Sequence, residues 1–302
     1  VKPPVAAVVG QLARDVVLSV DAVPDAGSAA DALDRREQLG GKGANQAVAL
    51  AQLGVRPRLV AVAGEDVIGD VLLDQARRDG IDVTAVVRRR GALTGLIVEV
   101  LDAEGHWRYV QHLPASVLLT EADVAAARTV IAGADTVLVQ LQQPPEAALA
   151  AARIGHDAGR LVVLDGAPQE RADDLLAAAD VVRADEQETE LLLGGKATVE
   201  RARALLEKGP RLLALGVEDG NLFVWRDGDV RLPLTGEKVV DTTGGGDAFT
   251  AALTAALLRG DDPATAARWA VAASGATVGH PSGRPHLTVE DLEKRVKELA
   301  GG

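Results

Sequence analysis

The chain has 302 residues, 47% of them hydrophobic and 25% charged, with a formal charge of −12 and no cysteine. It is long enough for one large core with at most a small appendage, and disulfides and thiolate zinc sites are excluded. The acidic balance and an aromatic content of 2% argue against a nucleic-acid groove but leave room for small anionic ligands held by backbone amides.

The opening VKPPVAAVVG has the wrong order of charge and apolar residues for a signal peptide, and no apolar run reaches the ~18 residues of a membrane span. Cytoplasmic residence without a membrane partner is the expectation. Val5 to Val9 reads as a buried parallel strand. Asp15 to Asp21 and Ala32 to Leu39 read as half-exposed strands on either side of a Gly/Pro turn, and Gln46 to Leu53 as a helix stopped by Gly54. A strand over Arg58 to Val62 and a helix from Gly64-Glu65-Asp66 to Arg78 or Asp79 follow. Thr94 to Val100 and His106 to Val110 flank the turn Asp102 to Gly105 as a hairpin.

From Glu121 onward strands and helices alternate. Strands are predicted at 136–139, 160–164, 180–182 and 211–215, with a hairpin at 222–225 and 229–233. Helices are predicted ending near Ala132 and Ala179, and over 145–156, 186–193, 198–208, 247–258, 263–277 and 288–299. Such alternation gives an α/β fold, a three-layer αβα sandwich around a mostly parallel sheet, with ligands at the carboxyl ends of the strands. The early strand pairs do not fit that core. They are expected to form a small β-sheet lid over 16–39 and 92–110, leaving 1–15, 40–91 and 111–302 as the catalytic domain.

Two glycine-rich stretches stand out. In VVDTTGGGDAF, Gly244, Gly245 and Gly246 lead directly into a helix whose first-turn amides and dipole would complete an anion cradle, with Asp247 at that turn. A carboxylate beside an anion hole suits deprotonation of a hydroxyl and phosphoryl transfer onto it. The plain alternative is an N-capping Asp after a loose loop. In LGGKGANQ, Gly41, Lys42 and Asn45 suit a polyol, because an Asn at a helix start bridges neighbouring hydroxyls. This is no Walker A loop, and a glycine turn with an exposed Lys is the ordinary reading.

Asp185 and Glu188 either favour a helix dipole or hold waters of a nucleotide-bound Mg²⁺. Leu215-Gly216 ends a strand where a nucleotide could lie, or simply begins a turn. The five histidines show no metal-ligand spacing.

Taken together, LGGKGANQA, GEDVIGDVL, the Leu93-Thr94-Gly95 step and DTTGGGDAF resemble the ribokinase-like (PfkB) family of carbohydrate kinases along nearly the whole chain, the GGKGANQ string suggesting its ribokinase branch. The resemblance implies ATP-dependent phosphorylation of a primary hydroxyl on a small sugar, ribose or a similar pentose. It implies Asp247 as catalytic base and Gly244 to Gly246 as anion hole. Sugar contacts would come from Asp15, Gly41, Lys42, Asn45, Gln142 and Asp241. Nucleotide contacts would come from Asp185, Glu188, Leu215, Gly216 and Val271, with Mg²⁺ held through water by Glu188. A monovalent cation, K⁺, would sit near Asp241, Thr243, Ala276 and Ser282, and the lid would pair two chains as a homodimer.

The sequence also departs from the family's pattern. Ala13-Arg14-Asp15 replaces Asn-x-Asp, Gln142 stands for a Glu, Leu113 to Ser116 replaces Gly-Ala-Asn-Ala, Asp185 stands for an Asn, and Val271 for a polar residue. These changes fall mainly on hydroxyl-binding groups, which discriminate strongly between acceptors. Three alternatives therefore stay open: a kinase for a nucleoside, one for another sugar or a sugar acid, and a catalytically weak sugar-binding member. Arg14 is a candidate contact for a phosphorylated acceptor.

Overall fold

A strand such as Val5–Val9, buried at every residue, must be covered on both faces. The computed structural model, which describes residues 2–236, 244–280 and 285–301, places helices on both sides of it. The strands are β1 (Val5–Val9), β2 (Ala13–Ser19), β3 (Asp34–Gly40), β4 (Arg56–Val60), β5 (Val62–Gly64), β6 (Val87–Arg89) and β7 (Gly95–Leu101). They continue with β8 (Trp107–His112), β9 (Thr136–Gln140), β10 (Leu161–Asp165), β11 (Val181–Ala184), β12 (Leu212–Val217), β13 (Gly220–Trp225) and β14 (Gly228–Pro233). The helices are α1 (Lys42–Gln52), α2 (Val67–Arg78), α3 (Glu121–Ala126), α4 (Arg128–Ala132), α5 (Pro145–Asp157) and α6 (Ala172–Ala177). After them come α7 (Glu186–Leu193), α8 (Val199–Leu206), α9 (Gly245–Arg259), α10 (Pro263–Val278) and α11 (Val289–Gly301).

Among the described residues the main sheet runs β14-β13-β12-β11-β10-β9-β1-β4, parallel from β12 to β4 and antiparallel at the β12-β13-β14 edge. Alternation along each strand divides the core in two. Ala6, Val8, Leu138, Val163 and Val181 pack toward α1, α9 and α10, while Ala7, Val9, Val137, Val139 and Val162 pack toward α5. This is the expected three-layer α/β fold. Helix α9 is buried from Asp247 through Ala256, and its many alanines let it lie close against α10 and α1.

Four of the six described strands left out of this sheet join as expected. They form a second sheet in the order β3-β2-β7-β8, with β2 and β7 parallel and the other two pairs antiparallel. Local details differ from the sequence expectation. The helix entering Ala132 is interrupted at Ala127, the strand predicted over Arg58 to Val62 divides into β4 and β5, and β5 pairs with β6, a strand of sequence Val-Arg-Arg that has no apolar run to announce it. Helix α1 begins at Lys42, four residues before its predicted start, because Gly41 supplies its N-cap.

Candidate active site

Helices α1 and α9 begin at the same cleft, and neither has a side-chain cap. Their N-cap residues are glycines at positive φ, Gly41 at 84° and Gly244 at 73°, a conformation that other residues adopt at a cost. Among the described residues no side chain caps the first turn of either helix; the Ala44 amide of α1 donates to the Gln11 carbonyl at 3.0 Å, and Asp247 is the acidic residue in the first turn of α9. The cleft holds about 750 Å³. Its floor is formed by Gln11, Gly41, Lys42, Asn45, Gly244, Gly246 and Asp247, and one wall by the lid sheet.

Asp247 is 7% exposed and sits within a polar network. Asn45 Nδ2 donates to its Oδ2 at 3.3 Å, and Gln46 Nε2 donates to its Oδ1 at 3.2 Å. The same Gln46 nitrogen donates to Asp165 Oδ2 at 2.8 Å. Asp165 Oδ1 in turn accepts from Arg183 Nη1 at 3.1 Å and from Thr250 Oγ1 at 3.2 Å. Burial, reinforced by the Asp165 carboxylate, pushes the Asp247 carboxyl up to about 6, against the opposing pull of Lys42, Asn45 and Arg183. A carboxylate in that range is ionised near neutral pH and still basic enough to take a proton in a transition state.

On the acceptor side, Asp15 is buried and projects over Gly40, where any side chain would collide with its carboxylate. Gln11 Nε2 donates to the carbonyl of Gln142 at 2.9 Å, and both residues line the cleft. Ile97, Glu99, Trp107, Tyr109 and Gln111 face the cleft from the lid sheet, with the Trp107 and Tyr109 rings stacked 5.3 Å apart. Arg14 lies on the opposite face from Asp15 and pairs with Glu37, so it does not line the cleft. The expectation of Arg14 as a contact for a phosphorylated acceptor is corrected on that ground.

On the remaining side, Asp185 and Glu188 line the cleft and cap α7 together. Asp185 Oδ1 accepts from the Glu188 amide at 2.8 Å, and Glu188 Oε2 accepts from the Asp185 amide at 2.9 Å. Burial raises the Glu188 carboxyl above its usual range, with Asp185 and Asp165 adding to the effect. Gly216 is packed tightly, since a Cβ there would stand 2.7 Å from the Glu186 nitrogen. Leu215 and Val271 are core residues, 0% and 2% exposed, and neither side chain lines the cleft. Ala276 lies near the end of α10, half-buried, whereas Asp241, Thr243 and Ser282 fall outside the described residues. No cluster of three or more His, Cys, Asp or Glu among the described residues could hold a metal alone. A Mg²⁺ here would have to arrive with phosphate oxygens, a demand that Asp185 and Glu188 fit as partial, outer ligands.

The sequence reading missed Gln46, Asp165, Arg183 and Thr250. Asp165 and Arg183 each stand one residue past the predicted end of their strand, and Gln140 holds the same place after 136–139. The three are register partners on adjacent parallel strands and so share one face of the sheet. The available signal was a polar residue closing each of three apolar runs at the carboxyl edge, where such folds place their ligands.

Comparison with known proteins agrees with this architecture. The family model described as pfkB family carbohydrate kinase matches residues 5–289. The ribokinase of Haemophilus influenzae is 30% identical over 279 residues, spanning 90% of this chain and 91% of that protein. The structure of Thermotoga maritima ribokinase is 28% identical with a TM-score of 0.79, covering 97% of this chain and 99% of that one. In fold, the chain also resembles Arabidopsis thaliana ribokinase complexed with ribose and ATP, at 24% identity and a TM-score of 0.80 over 98% of this chain and 99% of that one. With a family model matched across almost its full length, this chain belongs to the pfkB family of carbohydrate kinases.

Proposed function

We propose that the chain transfers the terminal phosphoryl group of ATP to a primary hydroxyl of a small sugar, ribose or a ribose-like pentose. The observation that carries this reading is Asp247, a buried carboxylate tuned to about 6, set in the first turn of an uncapped helix behind Gly244-Gly245-Gly246. When bound, Mg-ATP supplies the electrophilic phosphorus and neutralises part of its charge. Asp15, Lys42, Asn45 and Gln142 orient the acceptor hydroxyl, Asp247 accepts its proton, and the amides of Gly244 to Asp247 stabilise charge on the group in transfer. Glu188 and Asp185 would hold the metal through water, where it would neutralise phosphate charge. The lid sheet excludes bulk water, which limits loss of the phosphoryl group to hydrolysis. K⁺ near Ala276 is proposed as an activator, and a homodimer is proposed through the outer lid face, where Val16, Val98 and Val110 form one cross-strand row.

The experiment is ADP formation over a panel of pentoses, hexoses, sugar acids and nucleosides, with and without K⁺. Turnover with ribose supports the reading, and nucleotide binding with no turnover on any acceptor overturns it. A second reading, a nucleoside acceptor, is favoured by one observation. Two of the chain's six aromatic residues, Trp107 and Tyr109, are stacked on the cleft wall, a surface that suits a planar base. A kcat/KM for nucleosides well above that for ribose would decide for it.

A further inference from the structure

The cleft is rich in carboxylates. Asp15, Glu99, Asp185, Glu186, Glu188 and Asp247 line it, and Lys42 and Arg183 are the basic residues among its described lining. A polyphosphate entering this field needs cationic partners beyond the metal it carries. Lys42 begins α1 on the acceptor side. Arg183 is placed differently. It is the penultimate residue of β11 and lies against the glycine turn, where a Cβ on Gly246 would stand 2.7 Å from its Nη2.

Arg183 is also unusually placed for a residue with only a structural role. Its side chain is 14% exposed, and burial of a guanidinium is costly unless its charge and donors are met. Of its five N–H donors, the hydrogen bond made among the described residues is the one from Nη1 to Asp165. The centroid of the Phe249 ring lies 5.8 Å from the guanidinium carbon. Asp165 is itself anchored by Gln46 and Thr250, so the pair is rigid while the other edge of the fork stays on the cleft. A guanidinium locked at one edge and open at the other is suited to an incoming planar anion.

We propose that Arg183 is a further catalytic residue, whose free edge binds the terminal phosphoryl group opposite the Gly244–Asp247 amides, with Asp165 as its positioning residue. This rests on the kinase reading above. In the transfer, a bond forms between the acceptor oxygen and the terminal phosphorus as the bond from that phosphorus to the bridging oxygen breaks. The electron pair leaves on the nucleoside diphosphate, and the hydroxyl proton passes to Asp247. Arg183 meets the negative charge on the phosphoryl oxygens throughout, so its loss lowers kcat more than it weakens diphosphate binding.

The test compares wild type, Arg183→Gln, Arg183→Lys and the double variant Asp165→Asn/Arg183→Gln, which removes both buried charges where the single change fails to fold. Calorimetric binding of ADP and of the non-hydrolysable analogue AMP-PNP is measured beside turnover. The expected result is a loss of about 10²–10³ in kcat for Arg183→Gln and the double variant, comparable to removing one oxyanion donor. AMP-PNP affinity should fall at least about tenfold, while ADP affinity and acceptor KM stay within about threefold. Arg183→Lys should recover part of the AMP-PNP affinity but leave kcat about tenfold down, since a point charge lacks the fork. If the folded variants keep kcat and the AMP-PNP preference within about threefold of an active wild type, the inference is overturned and the kinase reading stands. A wild-type chain that transfers to no acceptor overturns both.

Discussion

The floor of the cleft and the lid above it are built on opposite principles. On the floor, Gln46, Asp165, Thr250 and Asp247 are each less than a tenth exposed, and every carboxylate oxygen named there has a donor from a separate element. Strand β8 of the lid is exposed at all six residues, with Trp107 48% and Tyr109 50% open on the cleft side. The floor holds its groups in one geometry, as the chemistry of transfer requires. The lid has little buried surface to fix it and can adapt to what it covers. In the proposed function the chemistry thus falls to the floor and the choice of acceptor to the lid.

The largest test of that division is Asp247→Asn. Its kcat should fall by about 10²–10⁴. Its melting temperature should equal or exceed that of wild type, because the fold holds this carboxyl at about 6 against a reference of 3.8. Between those values the folded chain keeps a proton that the unfolded chain has released. This group's contribution to stability therefore falls as pH rises from about 4 to about 6 and is level above. Calorimetric unfolding beside a coupled kinase assay reads both quantities.

The next effect is on the pH profile. With Asp247 as base, kcat/KM should lose about tenfold per pH unit below about 6. Asp165→Asn removes the neighbouring carboxylate that raises this group, so the acid limb should move to lower pH. An unmoved limb would detach Asp165 from the base.

On the lid, Trp107→Ala should raise acceptor KM about tenfold, in line with the loss of an aromatic contact, and leave nucleotide KM within about twofold. A change confined to nucleotide KM would reverse the division. The smallest effect on turnover is expected for Val98→Asp on the outer lid face, which should shift a dimer toward monomer by light scattering with kcat within about threefold. An unchanged mass would remove the lid from the interface.

Much of the fold was legible because its strands are continuous apolar runs and its helices are bounded by glycines such as Gly54 and Gly80, both at positive φ. The floor's leading residue was legible for a similar reason, since three glycines, an Asp and a helix are contiguous in the chain. The rest of the floor was not. Gln46, Asp165, Arg183 and Thr250 come from four elements, and each alone looks like an ordinary polar residue on a strand end or helix. Only the register of β9, β10 and β11 brings Gln140, Asp165 and Arg183 into one row beneath α9. Asp185 and Glu188 show a different limit: in the sequence they fitted an ordinary acidic first turn as well as a ligand-side role, and in the structure they cap α7 and line the cleft at once.

The central claim is that Asp247 drives phosphoryl transfer to an acceptor alcohol. The direct measurement is mass spectrometry of the acceptor after incubation with Mg-ATP at pH 8, for wild type and Asp247→Asn side by side. The account predicts an acceptor heavier by one phosphoryl group with wild type and little or none with the variant over the same time. Equal yields from the two proteins, or ATP consumed by wild type with inorganic phosphate as the only product, would contradict it.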